Sequence, residues 1–134
     1  QEFGMSILLI THDLGVVAEM CDRVAVMYAG RVVEDAGIEN LFENPQHPYT
    51  LGLMGAVPRP DLPDQAPIPI PGAPPDMAHP PSGCAFHPRC RFAEELCQVE
   101  TPHLRETSPD HRAACHFAGS PQLVREAMAL VRAE

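Results

Sequence analysis

Lysine is absent from this 134-residue chain, and acidic residues outnumber basic ones by 18 to 9. This balance argues against nucleic acid or an anionic membrane as the main partner, because both attract basic surfaces. The chain also lacks an apolar run long enough to span a bilayer and a basic leader before a cleavage site. It begins at Gln1 and not at methionine. We therefore expect a soluble, intracellular chain that is part of a longer polypeptide.

Four of the five cysteines lie towards the carboxyl end, in the pattern C-x5-C-x6-C-x17-C formed by Cys84, Cys90, Cys97 and Cys115. Intracellular thiols stay reduced, so such a cluster indicates metal binding or redox chemistry before disulfides. The pattern lacks the C-x2-C pair of many structural zinc sites. Four thiolates on unevenly spaced loops can hold an iron–sulfur cubane, one iron each. Zinc, with a histidine replacing a thiolate, and free or disulfide-linked thiols stay open; the candidate histidines are His87, His111 and His116.

Composition divides the chain into three predicted parts. Residues 1–57 have ordinary globular composition, residues 58–81 are dominated by proline, and residues 82–134 carry the cysteine pattern and a terminal helix. The proline-rich part cannot donate a regular ladder of hydrogen bonds, so it is expected to be extended or turn-rich. Its apolar segment Ile68–Gly72 favours contact with a surface, and a disordered linker is the alternative.

The first part predicts an α/β arrangement. The apolar run Ser6–Ile10 is typical of a strand buried on both faces of a mostly parallel sheet. Thr11 or Asp13 can then cap a helix. The apolar face of that helix is formed by Leu14, Val17, Ala18 and Cys21.

A β-hairpin is predicted next, with strands Arg23–Tyr28 and Arg31–Ala36 joined by Ala29 and Gly30. Two short helices are expected at Ile38–Glu43 and Tyr49–Ala56, with Pro48 in the first turn of the second. Ser120 and Pro121 predict the start of a terminal helix. Its apolar stripe consists of Leu123, Val124, Ala127, Leu130 and Val131.

His12 follows the predicted strand and precedes the predicted helix, at the sheet edge where open α/β folds bind ligands. A histidine at that edge can donate a hydrogen bond to a phosphate oxygen. Spacing alone favours a capping or buried structural histidine over this role.

The stretch "LLITHDLGVVAEMCDRVAVMYAGRVVE", residues 8–34, resembles the end of the nucleotide-binding subunit of ABC transporters. With "NPQHPYTLGLMGAVP", "IPGAPP" and the cysteine pattern, the resemblance is to the ATP-binding subunits of dipeptide and oligopeptide importers. It implies the C-terminal part of an ABC ATPase domain, made of a strand, a switch loop, a helix, a β-hairpin and short helices. A small irregular, cysteine-rich, metal-binding extension would follow.

By that resemblance, His12 is the switch histidine that contacts the γ-phosphate of ATP. The phosphate loop, signature motif and magnesium-binding aspartate of the family precede the switch strand and are absent from this sequence. Those groups position phosphates and metal in NTPases, so we expect no ATPase activity from this chain alone. ATP and magnesium would bind only the intact parent protein. That parent would lie at the cytoplasmic face of the membrane, with permease subunits and a second ATPase subunit as partners.

The resemblance also implies a 4Fe-4S cluster held by the four patterned cysteines, with zinc as the alternative. Cys21 falls outside the pattern and is expected to be packing. A structural role is favoured over redox sensing, because metal ligation supplies cross-links to a segment with few large apolar residues. Arg89, Arg91 and Arg112 could donate to cluster sulfurs, or form a solvated face or pair with Glu94 and Glu95.

Two hypotheses for function stay open at this point. The first is the C-terminal portion of a peptide-importer ATPase subunit. The second is an autonomous iron–sulfur or zinc module, binding metal or transferring electrons, without a transport role. The segment "LLITHDLG" favours the first, because a free-standing module has no use for it. The segment "HPYT", residues 47–50, has no chemistry that the sequence assigns beyond a proline at a helix start and a packing tyrosine.

Overall fold

Short helices and strands alternate through the chain in a computed structural model, which describes residues 3–61 and 63–131, with side chains through residue 129. In chain order the elements are α1 (Leu14–Met20), β1 (Arg23–Tyr28), β2 (Arg31–Gly37), α2 (Ile38–Glu43), α3 (Pro48–Gly55), a 3-10 turn (His87–Arg89), α4 (Glu95–Val99), β3 (Arg105–Ser108), β4 (His111–Ala113) and α5 (Pro121–Val131). The expected mixture of helix and sheet is confirmed. No helix in these described ranges is long and apolar enough to cross a membrane.

One antiparallel sheet organises the fold, with strand order β1-β2-β4-β3. The β2–β4 pair joins the β1–β2 hairpin to the β3–β4 pair. In it, Glu34 lies opposite Ala113 and Ala36 lies opposite His111. A strand from the first predicted part of the chain therefore pairs with one from the cysteine-rich part. The part boundaries at 57/58 and 81/82 stay a prediction, but the two flanking parts share this sheet.

The predicted hairpin is confirmed, and its turn shows why the connection is two residues long. Ala29 has φ 50° and Gly30 has φ 74°. Two positive φ values in succession define the turn whose twist matches the flanking strands. Glycine adopts this conformation freely, whereas alanine does so at some cost.

The predicted strand at Ser6–Ile10 is wrong for the described chain. These residues form no hydrogen-bonded ladder, and Ile7, Leu8 and Ile10 are 84%, 90% and 91% exposed. A strand exists only where a neighbour accepts and donates its backbone hydrogen bonds, and no described segment pairs with this one. The mostly parallel sheet expected around it is likewise not seen, since the sheet that forms is antiparallel.

The three helices of the first part form close to their predicted positions. Asp13 caps α1, accepting from the backbone N–H groups of Gly15 and Val16 at 2.9 and 3.2 Å. Val17 is the buried member of the predicted apolar face, whereas Ala18 is exposed. α2 has its predicted bounds, and α3 begins one residue early because Pro48 occupies its first turn.

The proline-rich part contacts α3, as its apolar segment suggested. The Ile68 N–H donates to the Gly55 carbonyl at 2.8 Å. The Ile70 side chain covers Gly52 so closely that a Cβ there would lie 2.8 Å from Ile70 Cγ1. The segment is therefore anchored at two points, while Ile68 itself stays half exposed.

Two apolar clusters form the core. The larger lies on the sheet and contains Val26, Tyr28, Val33, Ala36, Leu41 and Phe86. The smaller joins α3 to α5 through Leu51, Leu123 and Ala127. The predicted stripe of α5 is thus confirmed at Leu123 and Ala127, while the side chains of Leu130 and Val131 lie outside the described residues.

Candidate functional site

The four patterned cysteines line one cavity. Cys84 precedes the 3-10 turn, Cys90 follows it, Cys97 lies in α4 and Cys115 follows β4. The cavity has a volume of about 10 Å³, room for about one water molecule, and all four cysteines are free thiols. Its other lining residues are His47, Pro48, Phe86, His87, Pro102, His116 and Phe117. The fold therefore gathers four cysteines that are up to 31 positions apart.

Backbone hydrogen bonds bring the first three cysteines together. The Cys84 N–H donates to the Cys97 carbonyl at 2.8 Å, and the Cys90 N–H donates to the His87 carbonyl at 3.2 Å. Gly83 makes the first contact possible, because a Cβ at this position would lie 2.4 Å from the Cys97 carbonyl oxygen. Its φ of +69° is also one that side chains rarely adopt.

Burial dominates the chemistry of these thiols. It raises the pKa of Cys90 to about 11 and that of Cys115 to about 12, and it also raises the pKa of Cys84. Repulsion from the neighbouring cysteines adds to each increase. A reactive cysteine needs a lowered pKa, so these three lack the character of catalytic nucleophiles. As ligands, they would exchange their protons for a metal.

A site for a single ion is not supported. Across the described ranges, no three His, Cys, Asp or Glu side chains are arranged so that they could hold one metal ion. Zinc would need its sulfur ligands about 2.3 Å from one common point. The four thiols line a shared space without converging on such a point.

The neighbouring histidines have different positions relative to the cavity. His87 and His116 line it, and each ring lies close to a backbone carbonyl. His87 Nδ1 is 2.8 Å from the Cys84 carbonyl oxygen, and His116 Nε2 is 3.0 Å from the Glu100 carbonyl oxygen. His111 does not line the cavity; its Nε2 lies 2.7 Å from Glu34 Oε1 inside the sheet. Cys115 and His116 also border a wider surface groove beside the cavity.

The three arginines donate to other groups than the cysteines. Arg89 donates to the Pro71 carbonyl at 2.9 Å and Arg91 to Glu126 at 2.8 Å. Arg112 pairs with Asp35, which Arg23 also contacts. Among the described residues, these partners replace pairing with Glu94 and Glu95, which was one of the alternatives left open by the sequence.

Sequence reasoning missed a buried polar network centred on Glu34. This carboxylate is fully buried on β2. It accepts from the backbone N–H groups of Gln46 at 2.6 Å and His47 at 3.0 Å, and from His111 Nε2 at 2.7 Å. Three donors compensate a buried charge that would otherwise be costly. The signal in the sequence was a carboxylate pair, Glu34 and Asp35, between the apolar residues Val33 and Ala36 of this strand.

The "HPYT" segment is part of this network and of the cavity wall. His47 is 1% exposed, and its Nδ1 caps α3 by accepting from the Tyr49 N–H at 3.0 Å. The Tyr49 ring packs against Tyr28 and Phe86, with centroids 4.6 and 5.4 Å away. The segment therefore joins α3, the aromatic core and the cysteine cavity.

His12 lies elsewhere. It is exposed, in a bend between Ser6–Ile10 and α1, and is not among the residues lining the cysteine cavity. Its neighbour Thr11 accepts from the Asp13 N–H at 3.1 Å, which shapes the turn before α1.

Comparison with known proteins gives consistent matches. Residues 33–97 match the family described as "Oligopeptide/dipeptide transporter, C-terminal region". The chain is 52% identical over 113 residues to the oligopeptide transport ATP-binding protein OppD of Mycobacterium tuberculosis, covering 84% of this chain and 18% of that protein. It is 54% identical over 99 residues to OppD of Haemophilus influenzae, covering 74% and 31% respectively.

A further relative is a Sinorhizobium fredii protein named as a probable peptide ABC transporter ATP-binding protein. It is 50% identical over 113 residues, which cover 84% of this chain and 34% of the relative. The chain thus spans about a fifth to a third of the length of these relatives. These matches support a C-terminal fragment of an oligopeptide ABC transporter ATP-binding protein.

Proposed function

We propose that this chain serves as the C-terminal portion of the ATP-binding, energy-coupling subunit of a peptide ABC importer. The observation that carries the proposal is identity of 50% or more to proteins named as oligopeptide or peptide transport ATP-binding proteins, over most of the chain. In the intact protein, ATP with magnesium would drive inward transport of short peptides. The autonomous metal-binding alternative is not favoured, because these relatives are named for transport.

In this proposal the partners are membrane permease subunits and a second ATPase subunit, and the location is the cytoplasmic face of the membrane. The parts 1–57, 58–81 and 82–134 would be the end of the nucleotide-binding domain, a connector and an extension. The exposed apolar segment Ser6–Ile10 supports this picture, because unpaired apolar backbone is expected to pair with further strands.

His12 is proposed as the switch histidine. Its exposure beside the capped start of α1 leaves the imidazole free to donate to a phosphate oxygen of a nucleotide held by other parts of the protein. The chain on its own, lacking a phosphate loop, should not hydrolyse ATP.

The test uses the chain joined to the upstream phosphate-binding half of its own subunit. His12→Ala should lower ATP hydrolysis by about 100-fold or more, the usual cost of removing one hydrogen-bond donor to charge that develops in the transition state. His79→Ala is the control, because the His79 side chain is 87% exposed in the proline-rich part. Equal rates for both variants would refute the switch role.

The four cysteines are proposed to hold a 4Fe-4S cluster, and the residues fit this group in two respects. All four donors are soft sulfur atoms, and no carboxylate lines the cavity in the described chain. All four also line one cavity, so a single bound group there could contact each of them. When bound, such a cluster would cross-link the loops and offer a one-electron redox centre.

A structural role for the cluster is proposed over redox sensing. The large apolar side chains close to Cys84, Cys90 and Cys115 are Phe86, Phe92 and Phe117, and only Phe86 is fully buried, so cross-links would add to a small core. The decisive measurement is the iron, sulfide and zinc content of anaerobically purified protein, with its visible absorption. We expect about four irons per chain, lost in Cys115→Ser and kept in Cys21→Ser. Zinc alone would replace the cluster proposal, and folded, metal-free protein would refute it.

A further inference from the structure

The Glu34 carboxylate contacts two segments that lie far apart in the chain. Its Oε1 accepts the Gln46 N–H at 2.6 Å and lies 2.7 Å from His111 Nε2, while its Oε2 accepts the His47 N–H at 3.0 Å. All four residues are buried, and Glu34 is 0% exposed. Bulk water therefore cannot replace these bonds cheaply. One side chain of β2 thus joins the loop before α3 to β4.

Both segments continue directly into the wall of the cysteine cavity. His47 lines the cavity from the loop before α3, and Cys115 lines it just after the end of β4. The backbone between β4 and Cys115 is held to β2 as well, since the Ala114 N–H donates to the Val33 carbonyl at 2.8 Å. The distance between these two parts of the wall therefore depends on the contacts that Glu34 makes.

The other three cavity cysteines are held by contacts of their own. The Cys84 N–H donates to the Cys97 carbonyl at 2.8 Å, and the Cys90 N–H donates to the His87 carbonyl at 3.2 Å. Neither bond involves β2 or β4. Cys115 is the thiol that follows a strand bonded to Glu34, so its position is the one that the carboxylate should control.

His111 binds Glu34 through one ring nitrogen. Both Glu34 oxygens accept backbone N–H groups, so the carboxylate acts as the acceptor and His111 Nε2 as the donor. His111 Nδ1 is buried and has no hydrogen-bond partner in the described part of the chain. The side-chain link from Glu34 to β4 therefore depends on one N–H group at the position of Nε2.

We propose that Glu34 is a positioning residue for the cysteine site: its carboxylate holds the loop before α3 and β4 at a fixed separation and thereby sets where the Cys115 thiol lies. This gives a buried charge on β2 a role toward the cavity, and it rests on the proposed use of the four cysteines as one site. Glu34 is not among the residues that line the cavity, so it acts through its two neighbouring segments and contributes no ligand.

Three substitutions test the carboxylate and its partner on β4. Glu34→Gln replaces one accepting oxygen with an amide group that donates, so at least one of the three N–H donors loses its acceptor. His111→Asn is too short to bring an amide N–H to the position of Nε2, whereas His111→Gln can bring one there and donate to Glu34. The readout is the alkylation rate of each cysteine in the reduced, metal-free 134-residue chain, resolved by mass spectrometry under native conditions.

In Glu34→Gln and His111→Asn, Cys115 should react at least about fivefold faster than in the wild type, the factor expected when a buried polar group loses its partner. Cys97 is the internal reference, and its rate should change less than that of Cys115. In His111→Gln the Cys115 rate should stay near the wild-type value. If the other two variants do not fold, His111→Gln decides alone. Faster labelling of Cys115 in that variant, or its failure to fold, overturns the proposal.

Asp35→Asn is the matched control. Asp35 is the next residue of β2, is 5% exposed and also binds β4, through Arg112. Successive side chains of a strand point to opposite faces, so this pair lies on the other face of the sheet from Glu34. Asp35→Asn should lower the urea midpoint without selectively exposing Cys115.

Two further results would overturn the proposal. One is selective acceleration of Cys115 in Asp35→Asn, which would show that any loss of β2–β4 contact is enough. The other is equal acceleration of all four cavity cysteines in Glu34→Gln, which would show a merely structural role. Iron and sulfide content, measured separately on the wild type, decides the cluster proposal and does not affect this comparison.

Discussion

Histidine side chains in this protein differ greatly in burial, and burial sets what each can do. Desolvation lowers the pKa of His47 to about 4 from 6.5, although the hydrogen bond with the Ala114 backbone opposes the change. The imidazole is therefore neutral at ordinary pH, as its cap on α3 requires. His79, by contrast, is exposed and lies 3.1 Å from the Asp76 carboxylate.

Acid should therefore destabilise the metal-free chain through His47. The pKa is lowered in the folded state, so the unfolded chain takes up a proton at about pH 6.5 while the folded one resists until about 4. The free energy of unfolding is therefore not reduced by this group above pH 6.5. It falls by up to about 3 kcal/mol as the pH decreases from 6.5 to 4. Urea unfolding at several pH values measures the slope of the free energy of unfolding against pH. His47→Gln should flatten it within this window, and an unchanged slope would contradict the assignment.

Gly83 should tolerate no side chain. A Cβ would lie 2.4 Å from the Cys97 carbonyl oxygen and 2.6 Å from the Gln98 carbonyl carbon, and backbone atoms cannot move aside cheaply. Gly83→Ala should cost at least about 2 kcal/mol and disturb the Cys84–Cys97 contact. Gly30→Ala is the control, since its φ is also positive but only the Met77 side chain is near. Similar losses of stability in both variants would show that the positive φ causes the loss and that the clash with the backbone of Cys97 and Gln98 does not.

Helix α5 illustrates how a short element depends on its docking face. It packs against α2 and α3, and its Leu123 is fully buried next to Leu51 and Ala127. An isolated helix of 11 residues is marginal in water, so this contact supplies most of its stability. The Arg91–Glu126 pair is largely exposed and adds little.

Leu123→Ala should lower the free energy of unfolding by about 2–5 kcal/mol, the cost of a cavity at a fully buried leucine. Met128→Ala in the same helix should change it by less than about 0.5 kcal/mol, because Met128 is 44% exposed. Urea unfolding followed by circular dichroism gives both values. Comparable effects would mean that α5 is not docked through Leu123.

The whole molecule carries an unusual apolar surface near its amino end. Phe3, Met5, Ile7, Leu8 and Ile10 are each more than three-quarters exposed. Contiguous apolar side chains of this kind mark an interface or an aggregation hazard. The rest of the chain is held by one sheet and two clusters, so this segment is the part that most needs a partner surface.

The chain should therefore self-associate at high concentration and melt without a sharp transition. Replacing Leu8 and Ile10 with aspartate should shift sedimentation velocity profiles toward the monomer without lowering the urea midpoint, because neither side chain is packed. Val99→Asp, at an exposed valine elsewhere, is the control and should leave association unchanged. A wild-type chain that stays monomeric and melts cooperatively would contradict this prediction.

Local signals in the sequence predicted much of the secondary structure. Ala29-Gly30 between two apolar strands predicted the hairpin, Pro48 the start of α3, and Ser120-Pro121 the start of α5. The cysteine spacing selected four residues that do line one cavity, though the sequence offered no way to see which walls would enclose them. The hairpin turn and the helix starts depend on neighbours within a few residues, so local sterics decide them.

Long-range pairing decided the rest. Ser6–Ile10 has the composition of a strand, but a strand requires a hydrogen-bonding neighbour and none of the described segments supplies one. The pairing of β2 with β4 could not be read from either segment alone, and it is this pairing that brings Glu34 to His111, and Val33 to Ala114 next to Cys115. Residue identity thus determined which groups could serve as donors and ligands. The sheet register decided which of them meet. The reason is that contacts between residues about 80 positions apart form only when the whole fold closes the loop between them.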